Sequence, residues 1–331
     1  MAGRRRKKSG RRSYAWRYRG RIVACVFVEV IIICALVIMI GWNKGVKEWF
    51  EQFEQPVLKE VDISGINSPN AILMQARGGK ILGEINGEAQ IYPASMTKIM
   101  TVILGIENFD DLDEKITLTD EMFTGLYEQD ATQAGFQPGE EVRVIDLLYG
   151  AMLPSGAECC IALADTISGS EADFAELMNK KARKLGMENT HFCDSTGLHN
   201  PDHYSTVKDI AVLMKYCIKN DTFREIVETS RHSTGVTNIH PDGITYYSTM
   251  FKNLSDPTVT GGKILGGKTG YTSEAGHCLV SFAEIEGREY IFVSAGASGA
   301  DGNTIPHIQD AVTVYNRVGA AIEAKMNNNN K

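Results

Sequence analysis

Ser95 and Lys98 stand three residues apart in the stretch Pro93-Ala94-Ser95-Met96-Thr97-Lys98-Ile99-Met100-Thr101. On a helix that spacing puts both side chains on one face. The serine would stand at the mouth of an apolar helix, with the lysine one turn behind it. A serine hydroxyl is a weak nucleophile until a neighbour takes its proton. A lysine can take it when burial or a second cation keeps the amine neutral, and Ser-Lys pairs are a variant of the triad logic. The pattern alone is common, and it recurs as Ser205-Thr206-Val207-Lys208. Two later segments supply further parts: Ser155-Gly156-Ala157 and Lys268-Thr269-Gly270.

The elements that must position these residues change in kind along the chain. Residues 70–76 and 80–85 read as strands around Arg77-Gly78-Gly79, by their apolar content and turn residues. Pro93 closes the following loop, and the Ser95 helix continues through Ile106. An acidic, loop-rich stretch covers 107–140, whose charge reads as a solvated face. Helices are expected over 141–153, ending at Pro154, and over 158–167, 171–185 and 206–219, with a turn-rich loop at 194–201. Loops and short strands fill 230–262. After Lys268-Thr269-Gly270 the alternating runs 278–285 and 289–295 predict a hairpin around Glu286-Gly287-Arg288, and a helix covers 308–324. Strands, a helical middle, strands and a helix make an α+β fold. One antiparallel sheet is built from both chain ends and flanked by helices, with a mostly helical lobe inserted.

Charge divides the chain sharply. Residues 1–21 carry ten Arg or Lys and no acid, although the net charge of all 331 residues is −7. Such a segment suits a nucleic-acid arm, but the next residues decide against that reading. Residues 22–42 are apolar apart from Glu29, long enough to cross a bilayer, and basic flanks stay cytoplasmic. The apolar run exceeds a cleaved signal peptide, and no small-x-small site follows it. The expected order is a basic cytoplasmic segment 1–21, a transmembrane signal anchor 22–42 and a stalk 43–60. A domain over 61–325 and a polar tail over 326–331 follow, both outside the membrane. Trp42, Val46, Trp49, Phe50, Phe53 and Val57 form one stripe in the stalk, suited to a lipid surface or to packing on the domain. Of seven cysteines, Cys25 and Cys34 lie in the span. Cys159, Cys160, Cys193, Cys217 and Cys278 fit neither a disulfide framework nor a zinc pattern and read as small buried hydrophobes.

Together the three segments resemble the low-molecular-weight penicillin-binding proteins, the serine D-Ala-D-Ala carboxypeptidases, whose superfamily shares Ser-x-x-Lys and Lys-Thr-Gly. Leu185-Gly186-Met187, Gly197-Leu198, His203-Tyr204-Ser205-Thr206 and Gly267-Lys268-Thr269-Gly270-Tyr271-Thr272 extend the resemblance from about Val61 to Gly319. It implies the β-lactamase/DD-peptidase-like fold, with Ser95 as the nucleophile on the carbonyl between two terminal D-alanines. Lys98 is the implied base, kept neutral with help from Lys268, and Ser155 passes the proton to the leaving amine. Lys268, Thr269 and Gly270 are implied to bind substrate, the first two through its free carboxylate. The backbone N–H groups of Ser95 and Tyr271 are the implied oxyanion hole. The implied partners are the peptidoglycan stem peptide, β-lactams as covalent inhibitors, and a bacterial cell membrane crossed once; no metal, cofactor or nucleic acid is implied.

The chain also departs from that family. Its second motif is Ser-x-Asn, and here Ala157 replaces the asparagine, so Glu158 or Asn200 would have to stand in for the amide. A second, β-rich domain and a C-terminal amphipathic anchor, common among relatives, are not expected. Competing readings follow from single features. Ala157 would suit a degenerate domain that binds peptidoglycan or senses β-lactams. A class A β-lactamase needs a glutamate for deacylation, which Glu176-Leu177-Met178-Asn179 matches only loosely. Gly262 to Thr269 satisfies the Walker A pattern but lacks a following helix. His199 and His203, with Asp194 and Asp202 nearby, have a zinc-like spacing interrupted by Pro201.

Overall fold

The computed structural model describes residues 58–254, 256–299 and 305–329. The basic segment 1–21, the expected anchor 22–42 and the stalk up to residue 57 lie outside the described residues. Among those described, no helix is long and apolar enough to cross a membrane.

Strands β1 (Asn70–Gln75) and β2 (Ile81–Ile85) open the domain. A 3-10 turn at Ala94–Thr97 leads into α1 (Lys98–Asn108). A ribbon of β3 (Lys115–Thr117) and β4 (Glu141–Arg143) precedes α2 (Val144–Met152), α3 (Ala157–Ser168) and α4 (Glu171–Leu185). Helices α5 (Val207–Cys217) and α6 (Asp221–Glu228) complete the lobe. A second ribbon, β5 (Arg231–Ser233) with β6 (Thr245–Tyr247), and the short α7 (Thr249–Asn253) return the chain to the sheet. There it forms β7 (Thr258–Val259), β8 (Gly262–Thr272), β9 (Gly276–Ile285) and β10 (Arg288–Ala297), then α8 (Pro306–Asn329).

The main sheet runs β2-β1-β10-β9-β8-β7. Every pairing is antiparallel, and β1 meets β10 with Ile72 opposite Val293. The sheet is therefore assembled from both ends of the domain, with the helical lobe between them. Period-two alternation sorts the side chains to two cores. Cys278, Val280 and Phe282 face the lobe, whereas Leu279, Ala283 and Ile285 face the layer of α8. On that second face the Tyr315 hydroxyl, buried in α8, lies 3.1 Å from Ser281 Oγ and accepts the Phe292 N–H. Helix α1 is buried from Lys98 through Gly105 and forms the axis of the lobe, as expected of a helix apolar all round.

Local sequence signals set several boundaries. Ser170, Thr206 and Asn220 cap α4, α5 and α6 through their side chains, each accepting a free N–H of the first turn. The second Ser-x-x-Lys thus resolves into a helix start. Ser205 bonds Thr190, and the half-exposed Lys208 pairs with Glu88 at the surface. Three expectations need correction. The stretch expected as a helix from 141 begins as β4, because residues 141–143 pair with β3. Helix α6 was not foreseen, and α8 runs to Asn329 rather than Ala324. Residues 262–272, expected to be loop and motif, form one 11-residue strand. Its four glycines lower strand propensity and obscured it.

Candidate active site

The nucleophile turn is strained and wedged. Ala94 has a left-handed φ of +46°, which costs a non-glycine residue of order 1–3 kcal/mol and persists only where the surroundings fix it. Those surroundings are two glycines. A Cβ on Gly270 would lie 3.0 Å from Ser95 N, and one on Gly197 would lie 1.9 Å from Ala94 O. Glycine lets strand β8 and loop 194–203 close on the turn from two sides. Ser95 is partly exposed, while Lys98 behind it is 3% exposed. Lys98 Nζ donates to Ser95 Oγ at 3.2 Å and to Thr196 O at 2.5 Å.

A second serine–lysine pair faces the first motif. Ser155 leaves α2 with φ +76°, another left-handed residue that is not glycine. Lys268, from the middle of β8, donates to Ser155 Oγ at 3.0 Å and to Thr269 O at 2.8 Å. Thr269 Oγ1 lies 2.7 Å from Thr249 Oγ1 at the start of α7. Among the described residues neither Lys98 nor Lys268 makes an ion pair. Burial, and then the neighbouring Lys98 charge, push the Lys268 ammonium well below its usual 10.5. The two lysines are thus close enough for the Lys98 charge to be felt at Lys268.

That depression has a consequence for stability. The folded chain sheds a proton that the unfolded chain keeps, so stability rises with pH between the lowered value and 10.5. Lys268→Met should remove this slope. Its stability advantage over the parent should be largest below that window and should shrink as pH approaches 10.5. Urea midpoints at pH 7 and pH 10 check this, and a difference independent of pH would rule it out.

The remaining motif residues fall as follows. Tyr271 sits opposite His277 on β9 and beside Gly270, and is 61% exposed. Ala157 is buried at the start of α3, its N–H donating to Thr132 O. Neither polar neighbour replaces the missing amide. Glu158 Oε1 accepts from Ala134 N and Gly135 N, and Asn200 Oδ1 caps Asp202 N. His199 and His203 diverge: His199 packs edge-on against Tyr92, whereas His203 is buried between Thr97 and Asp194. Asn179, on α4, bonds the Phe192 backbone through both its side-chain atoms. Gly262 to Thr269 lies within a strand, which excludes a phosphate loop. The five cysteines are free, and burial pushes the Cys160 and Cys278 thiols up to about 12, as packing residues require.

Sequence reasoning did not find two of these groups. Thr196 acts through its carbonyl, which has no side-chain signature, and Thr249 is one hydroxyl in a loop-rich stretch. The clue to Thr196 was the Asp194-Ser195-Thr196-Gly197 turn, legible as a turn but not as a partner of Lys98.

A family profile described as D-alanyl-D-alanine carboxypeptidase, peptidase S11, matches residues 57–299. The chain belongs to the S11 peptidase family. Among S11 relatives, D-alanyl-D-alanine carboxypeptidase DacF of Bacillus subtilis is 36% identical over 231 residues, covering 69% of this chain and 57% of the relative. DacC of Escherichia coli is 33% identical over 262 residues, covering 72% of this chain and 58% of the relative. The chain thus spans under three fifths of the length of these relatives. The crystal structure of the Streptomyces K15 DD-transpeptidase superposes with a TM-score of 0.69 at 29% identity, covering 79% of this chain and all of that one. A D-alanyl-D-alanine carboxypeptidase from Mycobacterium tuberculosis shares the fold, with a TM-score of 0.69 at 22% identity over 80% of this chain and 96% of that one.

Proposed function

We propose that the chain is a serine D-Ala-D-Ala carboxypeptidase that trims peptidoglycan stem pentapeptides through an acyl-enzyme on Ser95. The observation that carries this reading is the presence of two serine–lysine pairs, Ser95 with Lys98 and Ser155 with Lys268, whose lysines are close enough to interact. Beyond Lys263 the outer edge of β8 has no partner strand among the described residues, so an extended peptide has an edge to pair with.

The reaction follows from these positions. Lys98, entering as the amine, takes the proton of Ser95 Oγ as that oxygen attacks the carbonyl carbon of the penultimate D-alanine. The Ser95 and Tyr271 N–H groups receive the oxyanion; donors of this kind contribute roughly 3–4 kcal/mol. When the C–N bond breaks, Ser155 passes its proton to the leaving amine and is reprotonated with the proton that Lys98 took from Ser95, which returns Lys98 to the amine. Lys268, bonded to Ser155 Oγ, steadies the relay. Lys268 and the Thr269 hydroxyl bind the carboxylate of the departing D-alanine. Water then attacks the ester, with Lys98 returning as base. A β-lactam enters the same first step but leaves its amine tethered, so the ester persists. We also propose that residues 22–42 anchor the chain in the bacterial cell membrane. The support is the apolar run and the ten cations before it.

The test is intact mass of the full chain in detergent after incubation with benzylpenicillin. Peptide mapping of any adduct and D-alanine release from a D-Ala-D-Ala peptide accompany it. One adduct on the Ser95 peptide together with release is expected. An adduct without release would point to a β-lactam-sensing domain, and no adduct would remove the acyl-enzyme reading.

A further inference from the structure

Behind the nucleophile, one face of the 3-10 turn and the start of α1 is buried, partly polar and packed against loop 194–203. Ala94, Thr97, Lys98 and Thr101 recur at helical spacing, and none is more than 3% exposed. Loop 194–203 answers each of them. Gly197 lies against Ala94 O, His203 Nε2 is 2.8 Å from Thr97 Oγ1, Thr196 O takes the Lys98 bond, and Ser195 O accepts from Thr101 Oγ1 at 2.6 Å. Glu171, from α4, holds the loop from behind by accepting from Ser195 N at 3.2 Å.

Asp194 gives the loop its shape. Its Oδ1 accepts from Thr196 N, Thr196 Oγ1 and Gly197 N at 2.7–2.8 Å, and its Oδ2 is 3.1 Å from His203 Nδ1. Burial opposes the charge, but His203 and the Thr196 donors outweigh it and hold the carboxyl down at about 2. An ionised carboxylate facing Nδ1 places a hydrogen on that nitrogen. The Cys193 N–H, 3.2 Å from the same atom, is the weaker claimant. Nε2 then accepts the hydroxyl hydrogen of Thr97, the residue before Lys98.

We infer that Asp194, His203 and Thr97 are positioning residues that aim the Lys98 amine at Ser95. The circuit closes on itself: Asp194 fixes Thr196, whose carbonyl holds Lys98, while His203 ties Asp194 to the helix turn bearing Lys98. A neutral amine has one lone pair. Donating a hydrogen to Thr196 O leaves that lone pair free for the Ser95 hydroxyl. Once Lys98 has taken the proton, the same carbonyl receives a charge-assisted bond from the ammonium. Ala157 offers Lys98 no amide, so loop 194–203 supplies what the second motif does not.

This inference rests on the acyl-enzyme reading, and its test separates the two. The full chain is compared with Thr97→Val, which keeps the shape and removes the hydroxyl, and Thr97→Ser, which keeps the hydroxyl. Benzylpenicillin acylation rates, and kcat and KM on a D-Ala-D-Ala peptide, are measured for each. Thr97→Val should lose about 10- to 100-fold in acylation and kcat, the range a misplaced reacting group costs. Its KM should stay within about twofold, and Thr97→Ser should restore the rate. Asp194→Asn tests the circuit from its other end, because an amide facing Nδ1 reverses the imidazole tautomer; the same loss of kcat at constant KM is expected. Valine and asparagine variants with parental rates would overturn the inference, as would a serine variant no better than valine. An acylated parent with indifferent variants removes this inference alone, whereas a parent that takes no penicillin removes both.

Discussion

Lys98→Met should abolish acylation by benzylpenicillin while the chain still folds. A general base contributes typically about 10²–10⁴-fold, and Lys98 is the amine bonded to the Ser95 hydroxyl. The acylation rate should therefore fall by about three orders of magnitude. Methionine fills nearly the volume of the lysine stem, so packing around α1 is kept. It leaves the Thr196 carbonyl without its donor, a cost of about 1–3 kcal/mol. It also removes a buried polar group whose desolvation had to be met, which offsets part of that cost. The melting temperature should consequently change little while the chemistry is lost. Stopped-flow acylation and thermal unfolding of the same preparation measure both. Acylation within about tenfold of the parent would transfer the role of base from Lys98 to Lys268.

The contrast between the two lysines also marks what the sequence discloses. Ser95 and Lys98 are legible because one helical turn fixes their separation whatever the rest of the chain does. The sheet from both ends was legible because runs 70–76, 278–285 and 289–295 alternate or stay apolar over several residues. Strand β8 was not, because glycines at 262, 266, 267 and 270 occupy it. They are there for tertiary reasons, close approach of the backbone to α6, β9 and the nucleophile turn, which no local propensity reports. The same holds for the partner of each lysine. Like-charge repulsion from Lys268 was expected to act on Lys98; that the lysine on β8 would itself be depressed was not foreseen. Its burial is the larger cause, followed by the Lys98 charge. The amide absent at Ala157 looked like a vacancy in the second motif. The fold's answer for Lys98 is a partner from a different segment, the Thr196 carbonyl, in a residue held by Asp194.

That answer depends on loop 194–203 lying hard against the nucleophile turn, and Gly197→Ala is the substitution that most directly forces them apart. Gly197 has φ +78°, and a Cβ there would fall 1.9 Å from Ala94 O and 2.8 Å from Thr97 Oγ1. Gly169, at the C-terminus of α3, provides the control, since its φ is +83° and an added Cβ meets nothing within 4 Å. Both alanine variants incur the left-handed backbone penalty of roughly 1–2 kcal/mol. Only Gly197→Ala adds a collision with backbone, which cannot rotate away as a side chain can. It should therefore lose more than about 4 kcal/mol, a size reserved for a few mechanisms of which forced strain is one. The protein that remains folded should acylate slowly, because relief of the collision moves Ala94, and with it Ser95, away from Lys98. Urea unfolding and penicillin acylation of the two variants give the comparison. If Gly197→Ala costs no more than Gly169→Ala, the loop does not press on the turn, and the Lys98–Thr196 contact loses its footing. If stability falls but the folded fraction acylates at the parental rate, the turn keeps its own geometry and the loop serves packing alone.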